Sequence, residues 1–205
     1  MREQHPPGVV SQDTVDARPG NEGPGSPRRA LPGRLVWVVA VGVAGVVVVL
    51  DQATKLLAEW HLADGPIDLG LLALTLVRNP NAAFGIPGFT GMFLIVTVVV
   101  VALVARMLTR ADRLLLAFAY GLVTGGALGN AVDRALREPG FPDGAVVDFI
   151  DVGWFPVFNV ADSAITVGAV LVIGLLLLSD REEAREERAR EQHRSVRPET
   201  LPPRR

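Results

Sequence analysis

Four stretches of this chain are apolar over lengths that a water-soluble domain rarely tolerates. They are LVWVVAVGVAGVVVVL (35–50, continuing through DQATKLLA), GMFLIVTVVVVALVARML (91–108), LLLAFAYGLVTGGALGNAV (114–132) and FNVADSAITVGAVLVIGLLLL (158–178). A bilayer core needs about 20 residues of helix to cross it. An open strand cannot cross, because its N–H and C=O groups find no partners in hydrocarbon. The second run is rich in β-branched residues and would suit a buried strand in water, but its length argues for a helix. The expectation is an all-α membrane protein with four transmembrane helices.

The flanks are different in kind. Residues 1–34 are rich in Pro, Gly and charge without apolar periodicity, and residues 179–205 are almost wholly charged or Pro-bearing. Both read as solvated tails, the first disordered. The second has Glu–Arg spacings (Glu182–Arg185, Glu186–Arg190) that suit a helix at its start. The block between them, 35–178, reads as one domain. About 34 polar residues before the first apolar run also argue against a cleavable signal peptide.

Composition removes several chemistries. The chain has no cysteine, which excludes disulfides, thiol catalysis and thiolate metal sites. Its three histidines, His5, His61 and His193, are scattered, so no metal site is expected. The arginines flank apolar runs and form no stripe with aromatics, so no nucleic-acid partner is expected.

Orientation follows from where the basic residues stand in the connections. Arg28, Arg29 and Arg34 precede the first run, Arg106, Arg110 and Arg113 crowd the turn between the second and third, and Arg181, Arg185, Arg188 and Arg190 follow the fourth. The connections 59–90 and 133–157 hold only Arg78, Arg134 and Arg137. Both termini are therefore expected in the cytoplasm and the two longer connections outside.

That placement gathers the polar residues near the membrane at one face. Asp51 and Lys55 end the first run; Asn79 and Asn81 lie in the first outer connection; Asn130, Asp133 and Arg134 end the third run; Asp148 and Asp151 lie in the second outer connection; Asn159 and Asp162 begin the fourth run. Each has a plainer reading. Asp51 and Lys55, four apart, could be an interfacial ion pair with the lysine reaching for water. Asp133 and Arg134 could close a helix end. VVDFID, 146–151, could be an ordinary loop, and Asp162 could cap a helix, where the dipole favours an anion. RNPNAAFGIPG, 78–88, could be a simple re-entrant loop. Capping accounts for one acid at the start of the fourth run but not for the acids that face it. A charge in hydrocarbon costs about 2.5–3.5 kcal/mol on insertion scales, which makes such a group a functional candidate. Two close carboxylates can share a proton, so that one takes a proton from water while the other hydrogen-bonds a scissile carbonyl. Residue types alone leave open which of Asp133, Asp148 and Asp151 would partner Asp162. A proton-coupled carrier and a purely structural four-helix module are the rival readings.

Taken in order, DQATK, NPNAAFG, GGALGNAVDR, VVDF and FNVADSAITVG resemble the lipoprotein signal peptidases (signal peptidase II), over about residues 35–178. The resemblance implies four membrane helices with a small extracytoplasmic loop and β region between helices 1 and 2. It implies an intramembrane aspartic endopeptidase of the bacterial cytoplasmic membrane, working at the outer leaflet without a cofactor, expected as a monomer. Its substrates would be prolipoproteins carrying diacylglyceryl-cysteine, cut just before that cysteine, with membrane lipid as the other partner. The catalytic pair would be Asp148 and Asp162, with Asp51, Lys55, Asn79, Asn130, Asp133, Arg134 and Asn159 shaping the site. Two departures stand out: Asn81 where the family has a small glycine, and a long stretch LREPGFPDG, 136–144, which brings Asp143 in as a rival to Asp148.

Overall fold

The computed structural model describes residues 32–80, 90–111 and 113–196. Four helices, α1 (Gly33–His61), α2 (Thr90–Leu108), α3 (Leu114–Leu136) and α4 (Val160–Val196), are joined by three strands, β1 (Ile67–Asp68), β2 (Ala73–Asn79) and β3 (Val146–Asp151). Three of the helices, α1, α3 and α4, are long and apolar enough to cross a membrane, and α2 contributes a shorter apolar stretch, Met92–Leu108. At 1.5 Å rise per residue, the 29 residues of α1 reach about 44 Å, more than a hydrocarbon core. α2 is helical despite its β-branched composition, and a helix satisfies its own backbone along its length.

α3 is the hub, packed on α1, α4 and α2. Its glycines permit this. A Cβ on Gly125 would stand 2.7 Å from Val47 Cβ and 2.8 Å from Ala44 O of α1, closer than real atoms approach. With no hydrophobic force between helices in lipid, such close backbone contact is what holds them together. At one end of the bundle Val36 and Ala40 of α1, Leu108 of α2, and Ala117 and Tyr120 of α3 form a buried cluster, with Val172 of α4 against it. The charged ends of the helices gather there too, where Arg113 pairs with Glu182 at 3.0 Å.

The sheet closes the other end, with order β1-β2-β3, all antiparallel. Phe149 of β3 packs with Ala58 of α1 and with Leu62 just after it, fixing the sheet on the helix end. Two features differ from the sequence reading. The β region is not confined to the connection between helices 1 and 2, because its third strand is VVDFID, from between α3 and α4. Val, Phe and Ile supply the β preference, and the buried Asp148 among them is what disguises the segment as a turn. The helix that the Glu–Arg spacings suit at the start of the tail is also not a separate one: it continues α4 past residue 178. No Gly or Pro follows until Pro198, so nothing interrupts it, and Arg190 reaches Glu186 at 3.4 Å one turn back.

The close approach at α3 gives a direct test. Gly125→Leu overpacks a filled contact, at about 1–3 kcal/mol, and is expected to lower Tm in detergent by several degrees. Gly45→Leu, where a Cβ meets nothing within 4 Å, should leave it unchanged. Equal shifts would mean that the α1–α3 contact is not the tight one.

Candidate active site

The site lies where the C-terminal ends of α1 and α3 meet β3 and the start of α4. Its centre is Asn159, fully buried, immediately before α4. The Asn159 side-chain carbonyl accepts the N–H of Asp162 at 3.0 Å, and the Asp162 carboxylate accepts the N–H of Asn159 at 3.2 Å. This is the reciprocal arrangement of a capping box, built here from Asn and Asp. The Asn159 amide nitrogen also donates to Asp148 Oδ1 at 2.7 Å, to Val147 O at 3.3 Å and to Asn130 Oδ1 at 3.2 Å. One amide therefore touches both Asp148 and Asp162.

Each carboxylate has a second amide. Asn79 of β2 donates to Asp148 Oδ2 at 3.1 Å, across the ladder in which Val77 faces Asp148. Asn130 of α3 donates to Asp162 Oδ1 at 2.8 Å. Burial pushes the Asp148 carboxyl up to about 6. The Asn79 hydrogen bond opposes the rise, the charge of Asp162 adds to it, and the Asn159 hydrogen bond opposes it again. Two acids within range of each other, one of them buried, is the arrangement from which acid and base roles arise.

Beneath this pair lies a layer of buried charge. Lys55 Nζ is 2.7 Å from Asp51, 2.7 Å from Asp133 and 3.0 Å from Asn130 Oδ1. The three charged side chains are fully buried, so the reading in which Lys55 reaches for water does not hold: two carboxylates hold it inside. Asp133 is further held by Arg137 at 2.8 Å. The Arg134 guanidinium, almost buried, stacks on Phe93 of α2 at 4.5 Å and feels the charges of Asp148, Asp133 and Asp162.

The nine residues that the resemblance names as the pair and its supporting side chains, from Asp51 to Asp162, thus fall within one cluster. Asp151 stands apart, its carboxylate closing a turn by accepting Gly153 N–H at 2.8 Å. Asp143 lies in an exposed turn, with its N–H on Gly140 O at 2.7 Å. The longer stretch around it folds back on the end of α3, with Gly144 N–H on Arg134 O at 3.2 Å. Asn81 lies outside the described residues. Three participants were not anticipated. Gln52 donates to Asp51, Asp133 and the Gly129 carbonyl at 3.0–3.1 Å, and Glu59 pairs with Arg137 and with Arg78. Helical spacing carries the missing signal for two of them: Glu59 is four residues beyond Lys55, and Arg137 four beyond Asp133.

A family model described as signal peptidase (SPase) II matches residues 43–178. This chain belongs to the signal peptidase II family. A lipoprotein signal peptidase of Rhodococcus jostii (strain RHA1) is 43% identical over 175 residues, covering 82% of this chain and 85% of that one. One of Mycolicibacterium smegmatis is 41% identical, covering 82% and 70%. One of Caldicellulosiruptor bescii is 38% identical, covering 72% and 93%. A solved bacterial membrane enzyme is similar with a TM-score of 0.61 at 33% identity, covering 70% of this chain and 90% of its own. The chain is thus a protease of a multi-pass membrane family.

The state of Asp148 gives a pH test. Its carboxyl is raised from 3.8 to about 6, so the folded protein keeps a proton that the unfolded chain releases. Stability on this account is whole below pH 3.8 and is lost progressively as pH rises to about 6, by up to about 3 kcal/mol at 1.36 kcal/mol per unit. Asp148→Asn removes that loss. Its Tm relative to the unsubstituted protein is expected to rise between pH 4.5 and pH 8, and a difference independent of pH would show that Asp148 is not raised.

Proposed function

We propose that this chain cleaves prolipoproteins just before their diacylglyceryl-cysteine, using Asp148 and Asp162 as the catalytic pair. The observation that carries the assignment is that one residue, Asn159, donates to both carboxylates, its side-chain amide to Asp148 and its backbone N–H to Asp162. Water adds to the scissile carbonyl carbon while Asp162 takes its proton and Asp148 gives its own to the carbonyl oxygen. The intermediate collapses as the proton on Asp162 passes to the leaving nitrogen, the C–N bond breaks, and one hydroxyl of the intermediate returns its proton to Asp148, which restores the starting pair. The products are a signal peptide with a new carboxyl group and a lipidated cysteine with a free amine. The raised carboxyl of Asp148 supports its role as the proton donor.

The membrane setting follows from charge and topology. Arg34, Arg106, Arg110, Arg113 and Arg181 stand at the end of the bundle away from the sheet, the pattern of a cytoplasmic face. We place α2 across the membrane as a fourth span, both termini in the cytoplasm of the bacterial cell, and the catalytic pair at the outer leaflet. A signal peptide is itself an apolar helix, and the lipid on its cysteine sits in the same leaflet. One chain supplies both carboxylates and the amides that hold them, which suits a monomer as the working unit.

Asp148→Asn and Asp162→Asn are each expected to abolish cleavage of a lipidated precursor, followed as a size shift, while the protein stays folded in detergent. Full activity in either variant would sink the pair, and an inactive Asp143→Asn beside an active Asp148→Asn would move it. The precursor's lipid contributes burial at about 0.8 kcal/mol per CH₂ and fixes the bond at the interface. An unlipidated precursor of the same sequence should therefore turn over far more slowly even at saturation. Equal turnover would contradict this account of substrate placement.

A further inference from the structure

The buried cluster under the site has a symmetry that charge neutralisation alone does not require. Asp51 Oδ1 accepts the N–H of Ala161 at 2.9 Å, and Ala161 is the residue before Asp162. Asp133 Oδ2 accepts the N–H of Val147 at 3.2 Å, and Val147 is the residue before Asp148. Two carboxylates thus grip the backbone one residue ahead of each member of the pair, one on the first turn of α4 and one on β3. A single ammonium ties the two grips together, with Lys55 Nζ 2.7 Å from each. Its third contact, Asn130 Oδ1 at 3.0 Å, belongs to the amide that donates to Asp162.

We propose that Lys55 is a positioning residue that sets the separation of Asp148 and Asp162 through Asp51 and Asp133. This rests on the assignment of Asp148 and Asp162 as the pair. β3 and α4 are joined by a short, largely exposed link, 152–157, and meet just before the helix, where Phe158 pairs with Ile150 and the Asn159 amide reaches Asp148 and Val147. A strand and a helix joined in this way have no shared backbone ladder to hold their side chains in register. Lys55 supplies that register from a third element, α1, which both rest against. The geometry suits an ammonium: a compact head with three donors on a flexible stem meets three acceptors converging from different directions, whereas a planar guanidinium fork would not. The chain uses arginine at its other 19 basic positions and lysine only here, where the 20 Lys and Arg of the composition include one lysine.

The test is kinetic, on purified full-length protein with a lipidated precursor. In Lys55→Met, Asp51→Asn and Asp133→Asn, kcat is expected to fall by about 10–100-fold, the scale of a misplacement near 1 Å, with KM within about twofold. Lys55→Arg should be similarly slow. The Asp51→Asn, Asp133→Asn double variant should lose much less than the product of the single losses, because both act through one lysine. A wild-type kcat in folded variants whose Tm alone is lowered would overturn the proposal in favour of a structural role. So would a raised KM with unchanged kcat, a multiplicative double variant, or the failure of both Asn variants to fold. If Asp148→Asn or Asp162→Asn is active, the pair itself is wrong and this inference falls with it. If both are inactive while Lys55→Met turns over normally, only the role of Lys55 is wrong.

Discussion

A charge withdrawn from water must be met by an opposite charge and by hydrogen bonds, or it costs several kcal/mol. In this protein two carboxylates, Asp51 and Asp133, are withdrawn completely, and two cations, Lys55 and Arg137, meet them. The cluster is neutral by that count, and Gln52 fills acceptor positions that the cations leave. Glu59 and Arg78 then carry the network outward to the sheet. Breaking one partner would strand the others, so helix ends, strand and site stand or fall together. The glycines of α3 serve this same cluster, since a Cβ on Gly129 would lie 2.7 Å from Asp51 Oδ2.

On the proposed assignment, Asp162 combines structural and chemical duty in one side chain. Its carboxylate caps the first turn of α4 by taking the Asn159 N–H, and the same carboxylate takes an amide from α3. A cap is a geometric device: it fixes where a side chain stands relative to its own helix axis. An acid used in this way is already aimed before any substrate arrives, which is the kind of preorganisation that electrostatic catalysis depends on. Asp148 is aimed differently, by a strand whose neighbours Asn79 and Asn159 come from β2 and from the start of α4.

Much of this was legible in the sequence because apolar length and charge position are strong signals. The four helices follow from runs that no soluble fold would leave uncovered, and the polar residues at one face follow from where those runs end. The spacing of Asp51 and Lys55 foretold their contact, and Asn159 and Asp162, three apart, foretold the cap. What was not legible has physical reasons. β3 was hidden because pairing with β2 is a non-local event and its central acid argues against burial until its amide donors are known. The burial of Lys55 could not be read, because the carboxylate that keeps it from water, Asp133, is 78 residues away. The Glu–Arg spacings of the tail foretold helix there, but not that it would join α4 without a break, because the hydrophobic signal ends while helix formation continues wherever no residue interrupts it.

The crowding around α3 has a consequence for how such a chain can drift. Gly125 faces α1 and Gly126 faces Ala161 and Ile165 of α4, so successive residues of one helix are each pressed by a different neighbour. A methyl group is too large at either place, and so even alanine is closed to them. Ile95, Val98 and Val99 of α2 are half or more exposed on the outside of the bundle, where one aliphatic side chain does as well as another. Variation among descendants of this sequence should therefore pool on the outer helix and leave the central one nearly still, although both are equally greasy to the eye.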